Sequence, residues 1–110
     1  MKTDKLIARK VQYIYDLKNV IYDLHGCASE YVGAESVTEY FQDAIVWSGT
    51  VEIFDIRGHP NANRCYAWSH AIGKRKGKRF VAVLELPPVD SPQTAVKAVL
   101  SETENSKRKP

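Results

Sequence analysis

The sequence lacks the features of membrane, secreted and disulfide-stabilised proteins. Its 110 residues include only two cysteines, and its apolar runs are a few residues long. A membrane-spanning helix needs about 20 consecutive apolar residues, and a secretory signal needs an apolar segment behind its basic start. Because neither pattern occurs, we expect a cytoplasmic protein without a membrane segment. Two cysteines in such a protein are more often free and buried than paired.

Charge is unevenly distributed along a chain whose length suits one domain. The formal net charge is +3, yet residues 16–56 hold eight acidic residues and one basic residue, whereas residues 57–110 hold eleven bases and four acids. A chain polarised in this way favours self-association, or an anionic partner near its C-terminal half.

Two segments have the apolar periodicity of amphipathic helices. Residues 3–25 predict a long helix, and Gly26 suits the left-handed position that ends it. A shorter helix is predicted after Ser91, a good N-cap, with Pro92 at its first position. We predict that the domain covers residues 1–102. Residues 103–110 have nothing apolar to bury and are predicted to be a disordered basic tail.

Four segments between the helices have the composition of β-strands. Residues 27–41 predict one long bent strand or two short ones, and residues 44–56, 64–70 and 79–86 predict one strand each. This order predicts a two-layer α+β fold with a long N-terminal helix, a four-stranded antiparallel sheet and a short C-terminal helix. We expect both helices on one face of the sheet.

The other face of the sheet is then exposed to solvent or buried between subunits. Large apolar side chains spread over both faces exceed what two helices can cover, and such a surplus predicts a homodimer. The predicted interface residues are Trp47, Tyr66 and Trp68.

Histidine and cysteine are concentrated in one stretch, GHPNANRCYAWSH at residues 58–70. Strand alternation places Cys65 and His70 on opposite faces, so they cannot share a metal ion. The short paired spacings of zinc sites are also missing. We therefore predict no metal site and no cofactor, and interpret the stretch as a tight turn with His59 as a turn side chain.

The same turn offers the best candidates for a ligand site. Four flanking side chains are the candidate ligand-binding residues: Asp55, Arg57, His59 and Arg64. If they converge, they suit an anionic ligand or proton transfer, which leaves a small-ligand-binding protein or an enzyme as an alternative. No nucleophile elbow or phosphate-binding glycine loop accompanies them. We predict no catalytic residues and favour a non-catalytic binding module.

Five bases occupy six positions in GKRKGKRF, residues 73–80. They are the candidate anion-binding residues: Lys74, Arg75, Lys76, Lys78 and Arg79. A basic hairpin connection of this kind can follow a phosphate backbone, so nucleic acid or another polyanion is a candidate partner. The alternative is a solvated connection whose charge blocks edge-to-edge pairing of strands.

Two stretches of the sequence resemble known groups of proteins. Residues 46–96, with VWSGTVEIFDIRGHPNANRCYAWSH at their start, resemble a group of short bacterial proteins without known activity, including products of mobile integron gene cassettes. This resemblance implies a bacterial accessory role. The turn at Gly58, Pro60, Ala62 and Arg64 is similar to one in double-stranded-RNA-binding domains, which implies RNA binding as a further alternative. The second helix departs from those domains, because it opens with Pro92 where they have lysines.

Overall fold

One antiparallel sheet and two helices make up the fold. The computed structural model describes residues 2–71 and 78–108, with the side chains of residues 5–70 and 79–101. The elements are α1 (Lys2–His25), β1 (Ala28–Phe41), β2 (Ala44–Arg57), β3 (Arg64–Ala71), β4 (Lys78–Leu84) and α2 (Pro92–Arg108). The strands lie in the order β1-β2-β3-β4. The α+β class and the order of elements are confirmed.

No helix in the described part of the chain is both long enough and apolar enough to cross a membrane.

The predicted end of α1 is confirmed. Gly26 has a φ of 69°, in the left-handed region that glycine adopts without a steric penalty. Its N–H donates to the carbonyl of Tyr22 at 2.8 Å, which satisfies one of the last carbonyls of the helix. The chain can then reverse into β1 within two residues.

The start of α2 is also as predicted. Ser91 Oγ accepts from the N–H of Thr94 at 3.2 Å, and the Ser91 carbonyl accepts from the N–H of Ala95 at 3.0 Å. The helix runs to Arg108 and includes residues 103–108. They contain neither glycine nor proline, and a helix that has already formed extends at little cost.

β1 and β2 form a long hairpin with one bulge near its base and a second register shift near its tip, between Glu39 and Tyr40. Pairing passes from Tyr31↔Phe54 to Gly33↔Ile53, so Val32 is an extra residue on β1. At the far end, Gln42 and Asp43 have φ values of 50° and 66°, as a two-residue hairpin turn requires. Residues 28–41 are therefore one bent strand, the first of the two predicted alternatives.

The two helices pack on opposite faces of the sheet, which corrects the expectation that they share one. Two separate cores show this arrangement. The α1 core contains Leu17, Ile21, Phe54, Cys65 and Ala67. The α2 core contains Val51, Tyr66, Trp68, Val96 and Val99.

The physical reason is that the central strands are apolar on both sides. Along β3, Cys65 and Ala67 face α1, while Tyr66 and Trp68 face α2. All four side chains are buried. Leaving either face uncovered would expose this apolar surface to water, so each face requires its own helix.

Pairing between the two central strands is short. β2 pairs with β1 along nearly its whole length, but its described pairing with β3 runs only from Glu52↔Ala67 to Asp55↔Arg64. β3 meanwhile stays paired with β4 as far as Ala71↔Lys78. The outer part of the β1–β2 hairpin therefore separates from β3, and a cleft opens between them.

Candidate functional site

The four predicted ligand-binding residues each have a partner within the fold. Arg64 binds Asp55, with Nε and Nη2 at 3.3 and 3.2 Å from Oδ1. Arg57 binds Glu30 on the neighbouring strand at 3.2 Å. The charged groups that were predicted to converge on a ligand are thus paired with residues on neighbouring strands.

The remaining member, His59, is a turn side chain, as predicted. Its Nδ1 accepts from the backbone N–H groups of Asn61 and Ala62, each at 3.0 Å. The ring therefore replaces a backbone acceptor within the turn, in the way that Asx side chains do. These bonds use the lone pair that a general base would need.

The predicted dimer-interface residues lie mainly inside the subunit. Tyr66 and Trp68 are buried in the α2 core, and Trp47 packs edge-on against Trp68 with ring centroids 6.0 Å apart. Tyr66 and Trp68 are therefore not surface residues. The sequence prediction missed this because it left the second face of the sheet without a helix.

Most of the predicted anion-binding residues lie outside the described part of the chain. Lys74, Arg75 and Lys76 fall in the undescribed segment, and Lys78 begins β4. Arg79 is exposed, and it pairs with His70 across the two strands.

Cys27 and Cys65 are free and buried, as predicted. Burial, with a smaller contribution from Cys27, raises the pKa of the Cys65 thiol to about 12. Cys65 lies in the α1 core, whereas His70 contacts Trp68 of the α2 core, which confirms their opposite orientation. Among the described residues, no three His, Cys, Asp or Glu side chains form a group that could hold a metal ion.

His70 is a buried imidazole held among aromatic rings. Trp68 Nε1 donates to its Nδ1 at 3.1 Å, and the Trp47 ring stacks on it with 6.1 Å between centroids. Burial, followed by the nearby charge of Arg79, lowers the pKa of His70 below its usual 6.5. The neutral ring fits this site because Nδ1 must remain an acceptor.

We expect stability to decrease in acid because of His70. As pH falls below about 6.5, the unfolded chain takes up a proton at this histidine before the folded protein does, so folding is penalised. The effect approaches at most about 1.4 kcal/mol per pH unit and disappears above that pH. Urea unfolding between pH 7.5 and 5 should show a shallower pH dependence for His70→Gln than for the parent. Equal slopes would contradict the assignment.

The cleft between the separated strands is a candidate site that the sequence did not reveal. It has a volume of about 300 Å³. Its lining comes from Tyr13 of α1, residues 47–50 and Glu52 of β2, and Ser69 of β3. The lining combines hydroxyl groups, one carboxylate and the edge of a strand.

A buried carboxylate closes one end of the cleft. Glu52 is only 1% exposed, and its Oε2 lies 2.6 Å from Nζ of Lys10 on α1. The hydroxyl of Tyr31 donates to Oε1 at 2.9 Å. Burial, and then the hydrogen bond and charge of Glu52, raise the pKa of Tyr31 to about 12, so this hydroxyl remains a donor. The carboxylate is thus neutralised and held in place.

A tyrosine from α1 reaches the other side of the cleft. The Tyr13 hydroxyl accepts the backbone N–H of Ser69 at 2.9 Å and lies 3.4 Å from Ser69 Oγ. It occupies the place that a backbone carbonyl of β2 would take if the two strands stayed paired. The edge of β3 is therefore satisfied from within the molecule.

Sequence signals for this cleft exist but are weak. Lys10 falls on the apolar side of α1, one turn from Tyr13 and two from Leu17, and Glu52 is the only charged residue between Ala44 and Phe54. A charged residue inside an apolar pattern suggests a buried pair, but nothing local connects positions 42 residues apart.

Comparison of the chain with protein-family models, with curated proteins and with solved structures found no match.

Proposed function

We propose that the chain is a non-catalytic binding module that acts as a homodimer, in the bacterial accessory role that the resemblance of residues 46–96 implies. The observation that carries the proposal is a pair of exposed apolar surfaces at different places on one chain. An enzymatic role for the turn at residues 55–64 is less well supported, because Asp55, Arg57 and Arg64 are engaged in cross-strand ion pairs.

The first surface is the outer stripe of α1. It consists of Ile7, Val11, Tyr15 and Tyr22, which are 52–64% exposed. Their spacing places them in one stripe along the helix, beside the stripe that carries the buried Leu17 and Ile21. A hollow of about 450 Å³ lies on this surface, lined by Val11, Ile14, Tyr15, Lys18 and Asn19.

The second surface is the hairpin end, formed where β1 and β2 meet. It consists of Tyr40, Phe41, Ile45 and Val46, which are 47–60% exposed. Single exposed apolar residues are common on protein surfaces, but neighbouring ones, such as the directly paired Tyr40 and Ile45, usually mark an interaction site. The adjoining turn carries one acidic residue, Asp43.

A second copy of the chain supplies each surface with an apolar counterpart and an ion-pair partner. Lys18 lies within the outer stripe and Asp43 within the turn of the hairpin end, and among the described residues neither has an ion-pair partner. If the hairpin end of one subunit docks on the outer stripe of the other, Phe41 can enter the hollow and Asp43 can approach Lys18. Two-fold symmetry makes the contact twice and covers both surfaces on each subunit.

Sedimentation velocity on matched variants tests this arrangement. Phe41→Ser, on the hairpin end, and Tyr15→Ser, on the outer stripe, should each weaken dimerisation at least about tenfold without unfolding the protein, because both side chains are exposed. Val32→Ser, at the exposed bulge of β1, is the control and should dimerise like the parent.

Mixing the variants distinguishes reciprocal docking from other dimers. The Phe41→Ser chain retains an intact outer stripe and the Tyr15→Ser chain an intact hairpin end, so the mixture should recover one of the two contacts. Dimers that form as readily with Phe41→Ser as with the parent would refute the arrangement. A parent chain that is monomeric at every concentration would refute the homodimer itself.

The proposed function includes contact with an anionic partner through residues 74–79. Heparin should retain the parent chain at low salt, with retention decreasing steeply as salt rises because displaced counterions drive the binding. Serine at Lys74, Arg75, Lys76, Lys78 and Arg79 should abolish this retention. Retention with an unchanged salt dependence would show that the segment is only a solvated connection.

A further inference from the structure

The cleft is bordered by a part of β2 that is paired on one side only. Residues 48–50 pair with residues 36–38 of β1, while the described pairing of β2 with β3 ends at Glu52. Alternate backbone N–H and C=O groups of a strand point to opposite edges. Some backbone N–H and C=O groups of residues 48–50 therefore face the cleft, where another extended chain could pair with them.

The two edges of the cleft differ in their hydrogen bonding. On β3, the Tyr13 hydroxyl accepts the N–H of Ser69. Among the described residues, no side chain or backbone group provides an equivalent partner on the cleft side of residues 48–50. An unpaired backbone group is costly once water is excluded from it. The β2 edge is thus the one that gains from a ligand.

Residue composition also distinguishes this edge from the outer edges of the sheet. Charged side chains on an edge strand discourage pairing with other chains. β1 carries exposed Glu30 and Glu35, and β4 begins with Lys78 and Arg79. Residues 44–51, AIVWSGTV, have no charge at all. The open part of β2 therefore lacks the protection that the outer strands have.

We propose that the cleft binds a short, uncharged, extended segment of a partner protein, which adds a strand along residues 48–50 of β2. Three residues of β2 span roughly 10 Å, which matches a three-residue extended segment. The hydroxyls of Ser48 and Thr50 border the site, and Glu52 contributes no net charge because Lys10 neutralises it. The inference rests on the proposed role as a binding module, but it does not require the homodimer.

Titration with a capped tetrapeptide, acetyl-Thr-Val-Thr-Val-amide, tests the proposal by ¹H–¹⁵N NMR. We expect saturable shifts of the amides of residues 48–50 and 69, with weak affinity because a model peptide uses backbone bonds alone. The same peptide with alternate amides N-methylated keeps its side chains but loses its donors. It should produce at least about tenfold weaker binding.

A matched pair of protein variants locates the site. Thr50→Lys places a charge on the open edge and should abolish the shifts. Ser36→Lys is the control, because Ser36 pairs directly with Thr50 but lies one strand farther from the cleft, and both residues are exposed. This variant should bind the peptide like the parent.

Three results would overturn the proposal. They are an absence of saturable shifts, equal binding of the N-methylated peptide, and equal loss of binding in both lysine variants. Shifts of the same amides by D-glucose but not by the peptide would assign the cleft to a small hydroxylated ligand instead. Because sedimentation measures the dimer independently, failure of peptide binding can be distinguished from failure of the homodimer.

Discussion

Replacing Trp68 with alanine is expected to lower the free energy of unfolding by about 3–5 kcal/mol. The side chain is fully buried in the α2 core and packs edge-on against Trp47. Its removal leaves a large cavity and also removes the indole donor on which His70 Nδ1 depends. For a domain of this size, that loss is a large fraction of the total stability.

Urea unfolding followed by circular dichroism measures this loss without relying on the deleted fluorophore. Trp47→Ala is the comparison, and it should cost distinctly less because that ring is only partly buried at the edge of the same core. Trp68→Phe keeps most of the volume and should cost about 1–2 kcal/mol. A loss below about 1 kcal/mol for Trp68→Ala would show that α2 does not cover this face of the sheet.

The second large effect is expected at the pair formed by Lys10 and Glu52. Lys10→Met leaves the Glu52 carboxylate buried with Tyr31 as its remaining partner. Removing one member of a buried ion pair typically costs 3–5 kcal/mol, and we expect about 2 kcal/mol here because Lys10 is half exposed and partly screened by water.

A double-mutant cycle separates this charge effect from general damage to α1. In the Glu52→Gln background, Lys10→Met no longer leaves a buried charge without its partner. The loss in the free energy of unfolding caused by Lys10→Met should therefore be smaller by about 1–2 kcal/mol. Lys5→Met is the control, since Lys5 is an exposed lysine on the same helix, and its effect should stay within about 0.5 kcal/mol. Equal costs of Lys10→Met in both backgrounds would mean that the ion pair contributes nothing.

The pairing of the predicted ligand-binding residues with one another and with Glu30 has a specific physical origin. Asp55, Arg57 and Arg64 were correctly placed near one turn, but whether neighbouring charges bind a ligand or each other depends on strand register. Asp55 lies directly opposite Arg64, and Arg57 reaches Glu30 on the other neighbouring strand. Register is a property of two strands together, so the spacing within one strand could not reveal these pairs.

The cleft was beyond sequence-based prediction for a related reason. It depends on where β2 and β3 stop pairing and on Tyr13, whose hydroxyl reaches Ser69 from a position 56 residues away. On the N-terminal side of Glu52, apolar and polar residues continue to alternate along β2. Nothing in the sequence pattern therefore marks the point where β2 and β3 separate.

The sequence by itself determined the elements and many of their ends, because these follow from short-range geometry. Helical periodicity defines α1, Gly26 ends it, Ser91 starts α2, and alternation places Cys65 and His70 on opposite faces. Only the tertiary structure decided which face each helix covers, that Glu52 is buried beside Lys10, and that the central strands separate. These features depend on contacts between distant residues, and on the requirement that each apolar face be covered and each buried charge be paired.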